Sequence, residues 1–155
     1  MKRMICLLTF AVLFAAASAC MAADDANLGT WKLNEAKSKY SPGAPKNTSV
    51  VYEAAGDSIK VIVDGVGADG KPSHNEWTGK FDGKDYPLTG DPTADTRSYK
   101  KIGARTLELT NKMGGKVVVS GKIVISADGK SRTVSISGTD ASGKKITSTA
   151  VYDKQ

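Results

Sequence analysis

Gly29-Thr30-Trp31-Lys32-Leu33-Asn34 is the stretch on which the fold turns. Trp31 and Leu33 alternate with Thr30 and Lys32, so one face of a strand is apolar and the other polar. A counterpart stands at the far end, Ser148-Thr149-Ala150-Val151-Tyr152-Asp153-Lys154-Gln155. Between the two lie only short apolar runs and turns, with no convincing helix. An antiparallel meander removes both open edges when its last strand pairs with its first. These two segments are read as that closing seam.

Working inward, the period is two. Val50, Tyr52 and Ala54 share a face with Thr48. Ile59, Val61 and Val63 share the next. Trp77, Gly79 and Phe81 oppose His74, Glu76, Thr78 and Lys80. Such alternation describes a sheet with one side buried. Pro87 limits Tyr86-Pro87-Leu88 to an edge, a bulge or barely a strand, because it cannot donate to a ladder. Strands resume over 96–101, 105–111, 117–126 and 133–139.

The turns share one form: Ala68-Asp69-Gly70-Lys71, Phe81-Asp82-Gly83-Lys84, Ala127-Asp128-Gly129-Lys130 and Ala141-Ser142-Gly143-Lys144. Asp-Gly suits type I′ hairpins, whose central residues both need positive φ. Parallel β-α-β units need crossovers of a dozen residues or more, and none are present. The expectation is an all-β, antiparallel up-and-down barrel of about eight to ten strands. Asp24 to Leu28 reads as a flexible lead-in, and Glu35 to Tyr40 as at most one or two helical turns. Ala54, Gly79, Gly121 and Gly138 are small inward candidates that favour a cavity.

The chain of 155 residues divides into a leader, 1–22, and a single domain, 23–155. Lys2 and Arg3 form a basic n-region and Ile5 to Ala17 an apolar stretch too short to span a membrane. Ala17-Ser18-Ala19 fits a cleavage site before Cys20, and cleavage after Ala22 is the alternative. Ala17-Ser18-Ala19-Cys20 also resembles a bacterial lipobox, departing from it at Ala17, so Cys20 is a candidate for lipidation. The protein is expected to be secreted or periplasmic, with a membrane association only through Cys20.

Cys6 and Cys20 are the only cysteines, and both fall in or beside the leader, so the domain has no disulfide to lean on. Without Lys2 and Arg3 the domain carries 20 basic against 16 acidic residues, a net +4. The lysines are scattered through the turns, which describes a solvated surface. No basic stripe with interleaved aromatics marks a nucleic-acid partner. His74 is the only histidine, and with Glu76 it makes two candidate ligands, too few for a zinc site. Neither a nucleophile with its base nor a phosphate cradle is legible. The reading is non-enzymatic, without metal or cofactor.

Gly29-Thr30-Trp31-Lys32-Leu33 resembles the opening Gly-x-Trp strand of the calycin superfamily, the lipocalins and fatty-acid-binding proteins. Thr149-Ala150-Val151-Tyr152-Asp153-Lys154 resembles the last strand of the fatty-acid-binding proteins, where Arg-x-Tyr precedes an acid and Lys. The resemblance implies that Trp31 packs at the closed end of a barrel. It also implies that Tyr152 faces a small hydrophobic or amphipathic ligand. The chain departs from the pattern at Ala150, where the family places the arginine that grips a ligand carboxylate. Arg97 and Arg105 are the candidates to replace it, and the sequence places neither. Tyr52, Trp77, Phe81 and Tyr152 are the expected ligand-binding residues. The alternative is a cell-envelope structural or interaction protein whose barrel is filled by its own side chains.

Overall fold

The first and last strands pair. In the computed structural model, which describes residues 25–140 and 142–155, β1 (Gly29–Tyr40) runs antiparallel to β10 (Lys145–Lys154). Trp31 lies opposite Lys154 and Leu33 opposite Tyr152. The strands between are β2 (Lys46–Ala55), β3 (Ser58–Val66), β4 (Pro72–Gly79), β5 (Tyr86–Thr89), β6 (Thr96–Gly103), β7 (Thr106–Met113), β8 (Lys116–Ile125) and β9 (Ser131–Thr139). Each pairs antiparallel with its neighbours in the chain, and the ring closes. No helix occurs among the described residues. A ten-stranded meander closed on itself is the architecture that the calycin resemblance implies. The leader and Cys20 lie outside the described residues.

The alternation read from the sequence sets the faces. Val50 and Tyr52, then Val61 and Val63, then Trp77, then Tyr99 are buried on the inner side of successive strands. Thr48 is exposed, because the register slips between Asn47 and Ser49. β5 is only four residues long, and Pro87 is exposed on it. Beyond its reach the chain bridges β4 to β6 directly: the Gly83 amide donates to Tyr99 O at 2.9 Å and the Lys101 amide to Phe81 O at 3.1 Å.

Four local expectations are corrected. Glu35–Tyr40 is strand, because pairing with β10 outweighs weak local helix preference. The register slips between Asn34 and Lys39. Ser38 Oγ bridges that bulge, donating to Asn34 O at 2.7 Å and accepting the Val151 amide at 2.9 Å. The lead-in is likewise ordered: Asp25–Leu28 turns under the barrel, with Asn27 buried and the Trp31 indole N–H donating to Asn27 O at 2.8 Å. Lys101 anchors it through an ion pair with Asp25 at 3.1 Å.

The turns are not type I′. Among the described residues, positive φ belongs to glycines alone, including Gly70, Gly129 and Gly143. The Gly70 amide returns to Gly67 O at 3.0 Å, so the turn before it has ordinary φ and the glycine alone takes the left-handed position. The aspartate contributes differently from expectation: Asp69, Asp82 and Asp128 each accept, through Oδ1, the amide of the lysine two residues on, at 3.0 Å.

The strand glycines are also not spacers around a void. A Cβ on Gly121 would stand 2.5 Å from Ser135 O, and one on Gly138 2.5 Å from Val118 O. They let β8 and β9 approach closely and bend. Gly79 makes room for the Trp77 and Tyr86 rings, and Ala54 is exposed.

Candidate functional site

Three of the four expected ligand-binding side chains converge. Trp77 and Phe81 stack at 6.4 Å between ring centroids, and Tyr52 meets Phe81 edge-on at 6.4 Å. Tyr99, which the sequence reading left out, sits at the centre of the group. Its ring is 4.8 Å from Trp77, 5.6 Å from Phe81 and 6.2 Å from Tyr52, each edge-to-face. These are the offset geometries that aromatic quadrupoles favour. The Trp77 indole N–H donates to Arg97 O at 2.8 Å. Tyr152 is separate, its hydroxyl donating to Asn47 O at 3.0 Å. Burial foremost, then neighbouring Tyr52 for Tyr99 and Tyr40 for Tyr152, pushes both hydroxyls well above their ordinary pKa of 10.0. Both are neutral in ordinary buffers.

What links Tyr152 to the cluster is Arg132. It is only 2% exposed, opposite Tyr152 in the ladder. Its guanidinium carbon lies 4.8 Å from the Trp31 and Tyr52 ring centroids and 5.0 Å from Tyr152. Nε and Nη1 are buried without a hydrogen-bond partner among the described residues. Burying a lone cation costs several kcal/mol. A desolvated cation–π contact returns about 2 kcal/mol, so three faces together offset much of that cost. Arg132 therefore closes the lower half of the barrel with rings rather than with an acid.

The sequence named the other two arginines as candidates, and the structure separates them. Arg105 is exposed. Arg97 is 5% exposed on the inner face, where Nε donates to Asn111 Oδ1 at 2.8 Å and Nη1 to Asn75 Oδ1 at 3.2 Å.

Above the aromatic half the inner wall changes character. Val119, Ile136 and Ile146 face inward, as their pairing with Gly138, Gly121 and again Gly138 requires, yet each is only half-buried. Two open depressions lie on the outer surface of these strands, lined mainly by residues of the outward parity. One of about 560 Å³ is lined by Glu108–Thr110, Ser120–Lys122 and Ser135–Ser137. The other, about 350 Å³, is lined by Val117, Val118, Ser120, Ser137–Thr139 and Lys145.

His74 stands outside, on the surface of β4. Its Nδ1 is 2.7 Å from Asp64 and its Nε2 3.5 Å from Glu76, which also pairs with Lys60 at 3.0 Å. The hydrogen bond to Asp64 raises its pKa above the ordinary value. Among the described residues no three His, Cys, Asp or Glu side chains are grouped to hold a metal ion.

No protein-family model and no curated protein matches the chain. Among solved structures it is similar to a redesigned β-barrel, mFAP1, bound to DFHBI, at 14% identity and a TM-score of 0.48. That likeness covers 86% of this chain and 100% of the other. It is also similar to EF1p2_mFAP2b bound to DFHBI, at 13% identity and a TM-score of 0.48, covering 86% and 98%. The functional reading rests on this chain's own side chains.

Proposed function

We propose that the protein is an exported, non-enzymatic barrel that binds one small hydrophobic or amphipathic ligand within its open half. The observation that carries this reading is the half-buried state of Val119, Ile136 and Ile146 on the inner face. In a barrel packed by its own side chains such residues would be buried like Ile123 and Ile125 further down β8. Apolar side chains left half-exposed on the inside of a closed ring of strands are what a small-molecule site offers. Tyr52, Trp77, Phe81 and Tyr152 form the aromatic structure beneath it, and Trp77 is the natural reporter. Removal of the leader delivers the domain outside the cytoplasm, with Cys20 as its only means of lipid attachment.

A second reading has an observation of its own. The lower half is solid, with Trp31, Trp77, Leu107 and Arg132 each less than 2% exposed in their side chains. Extended to the whole barrel, this is a structural or interaction protein of the cell envelope. Titration with octanoate, retinol and a fluorescent hydrophobic probe separates the two. The ligand reading expects a shift in tryptophan emission that Trp77→Phe largely removes. A flat response to all three compounds favours the filled barrel.

A further inference from the structure

The tip of the β6–β7 hairpin, at the closed end of the barrel, is bare. Lys100 to Ala104 are all exposed, as is Arg105, and Ile102 at the turn is 44% exposed. Val124, 43% exposed, stands opposite Thr106 at the foot of the hairpin. Its neighbour Ile125 donates its amide to Arg105 O at 2.9 Å. Neither Ile102 nor Val124 belongs to the core.

Cations surround these two side chains. Lys100, Arg105 and, on the neighbouring β8–β9 turn, Lys130 have no carboxylate within ion-pair distance among the described residues. The acids nearest in sequence are turned back onto their own turns. Asp82 accepts the Lys84 amide and the Tyr86 hydroxyl, and Asp128 accepts the Lys130 amide and the Ser126 hydroxyl. Lys101 is the exception, because it pairs with Asp25 at 3.1 Å.

That pair fixes where the chain enters the domain. Asp25 is the first described residue, and Lys101 holds it against the hairpin. Cys20 stands five positions earlier, at most about 18 Å of chain. A lipid on Cys20 would therefore hold the closed end, rather than the open half, next to the bilayer. Exposed Met113 and Val117 with Lys116, Lys144 and Lys145 are the rival set at the open end, but the entering chain lies at the opposite one.

We propose that the closed end docks on an anionic lipid surface through Ile102 and the cations Lys100, Arg105 and Lys130. Each cation gains from the negative potential of such a surface, while an apolar tip enters the interface between headgroups. The docking is non-covalent and adds to any lipid on Cys20. It turns the open half of the barrel away from the membrane. The inference goes beyond the ligand-binding reading and stands whether or not the interior takes a ligand.

The test uses the mature chain beginning at Ala23, which carries no lipid, and vesicles of phosphatidylcholine with or without phosphatidylglycerol. Both native tryptophans are buried, so Ile102→Trp supplies a reporter at the tip. Its emission should shift to the blue with the phosphatidylglycerol vesicles, and not with phosphatidylcholine alone. The shift should fade as salt screens the surface. Lys100→Gln, Arg105→Gln and Lys130→Gln combined should weaken co-sedimentation with the anionic vesicles about a hundredfold, the product of three surface cations. Lys116→Gln, Lys144→Gln and Lys145→Gln combined make the same change in net charge at the open end, and should stay within about threefold of the unmodified protein. No binding to the anionic vesicles at low salt overturns the inference. Equal loss in the two triple variants also does, because net charge alone would then account for binding. So does a blue shift from Val117→Trp in place of Ile102→Trp. Binding of polyglutamate as tight as that of the vesicles, with Ile102→Trp unshifted by either, removes the lipid and leaves an acidic protein segment as the occupant.

Discussion

Truncating Trp31 to alanine tests the closed end of the barrel. Its side chain is fully buried, its indole N–H donates to Asn27 O at 2.8 Å, and its ring faces Arg132 at 4.8 Å. Loss of a buried tryptophan costs about 3–5 kcal/mol through transfer and cavity terms. The orphaned Asn27 carbonyl adds roughly 1 kcal/mol, and Arg132 loses one of its three rings, about another 1–2 kcal/mol. These contributions overlap, so about 4–5 kcal/mol is expected, close to the whole stability of many small domains. Trp31→Phe keeps a ring under Arg132 and loses the N–H, so it should cost about 1–2 kcal/mol. Urea denaturation followed by far-ultraviolet circular dichroism and Trp77 emission reads both. A Trp31→Ala cost below about 1 kcal/mol would refute the anchor.

Three further outcomes are expected. The hydrogen bond from Asp64 raises the folded-state pKa of His74, so its stabilising charge is fully present below 6.5 and is lost as pH rises through the raised folded value. An NMR titration of the His74 ring should give a midpoint above 6.5 that Asp64→Asn lowers, and an unchanged midpoint would dismiss the pairing. Gly121→Ala puts a methyl 2.5 Å from Ser135 O and 2.7 Å from Ile136 Cγ2, and should destabilise by about 1–3 kcal/mol in thermal denaturation; a neutral effect would mean that β8 and β9 do not approach so closely there. Intact-mass measurement of the exported protein should show a chain beginning at Cys20 or Ala23, with a large lipid mass on Cys20 if it is anchored. A retained Met1 would end the export reading.

The seam was legible because Trp31 and Tyr152 lie on strands whose alternation survives to the chain ends. Most inner faces were legible for the same reason, alternate residues being buried even where Val51, Ile62 or Val124 stands between them. Local rules failed where a tertiary partner outweighed them. Lys39 and Tyr40 end a stretch of helix-compatible composition, but beyond the bulge β10 supplies them a ladder. Asp69 and Asp128 keep ordinary φ because the following glycine carries the strain and the carboxylate caps the turn.

Arg132 was missed for a specific reason. The strand was read as beginning at Thr133, one residue too late, and an arginine at a strand edge is expected to face water. The signal was nevertheless present: Arg132 shares its parity with Val134 and Ile136, while Ser131, Thr133 and Ser135 take the other face. The resemblance directed attention to the arginine position on the last strand, at Ala150, when Arg132 is buried opposite Tyr152 on the strand before it. Arg97 was named as a candidate, but its partners Asn111, opposite it in the β6–β7 hairpin, and Asn75, across the short β5, are fixed by a strand register that local alternation does not state.

Methyl-resolved NMR of the mature protein titrated with octanoate puts the question to the barrel interior directly. Ligand binding in the open half predicts shift changes at Val119, Ile136 and Ile146, with the outward-facing, exposed methyls of Val124 unmoved. Shifts confined to Val124 and the other exposed apolar residues, or no shifts at all, would contradict it.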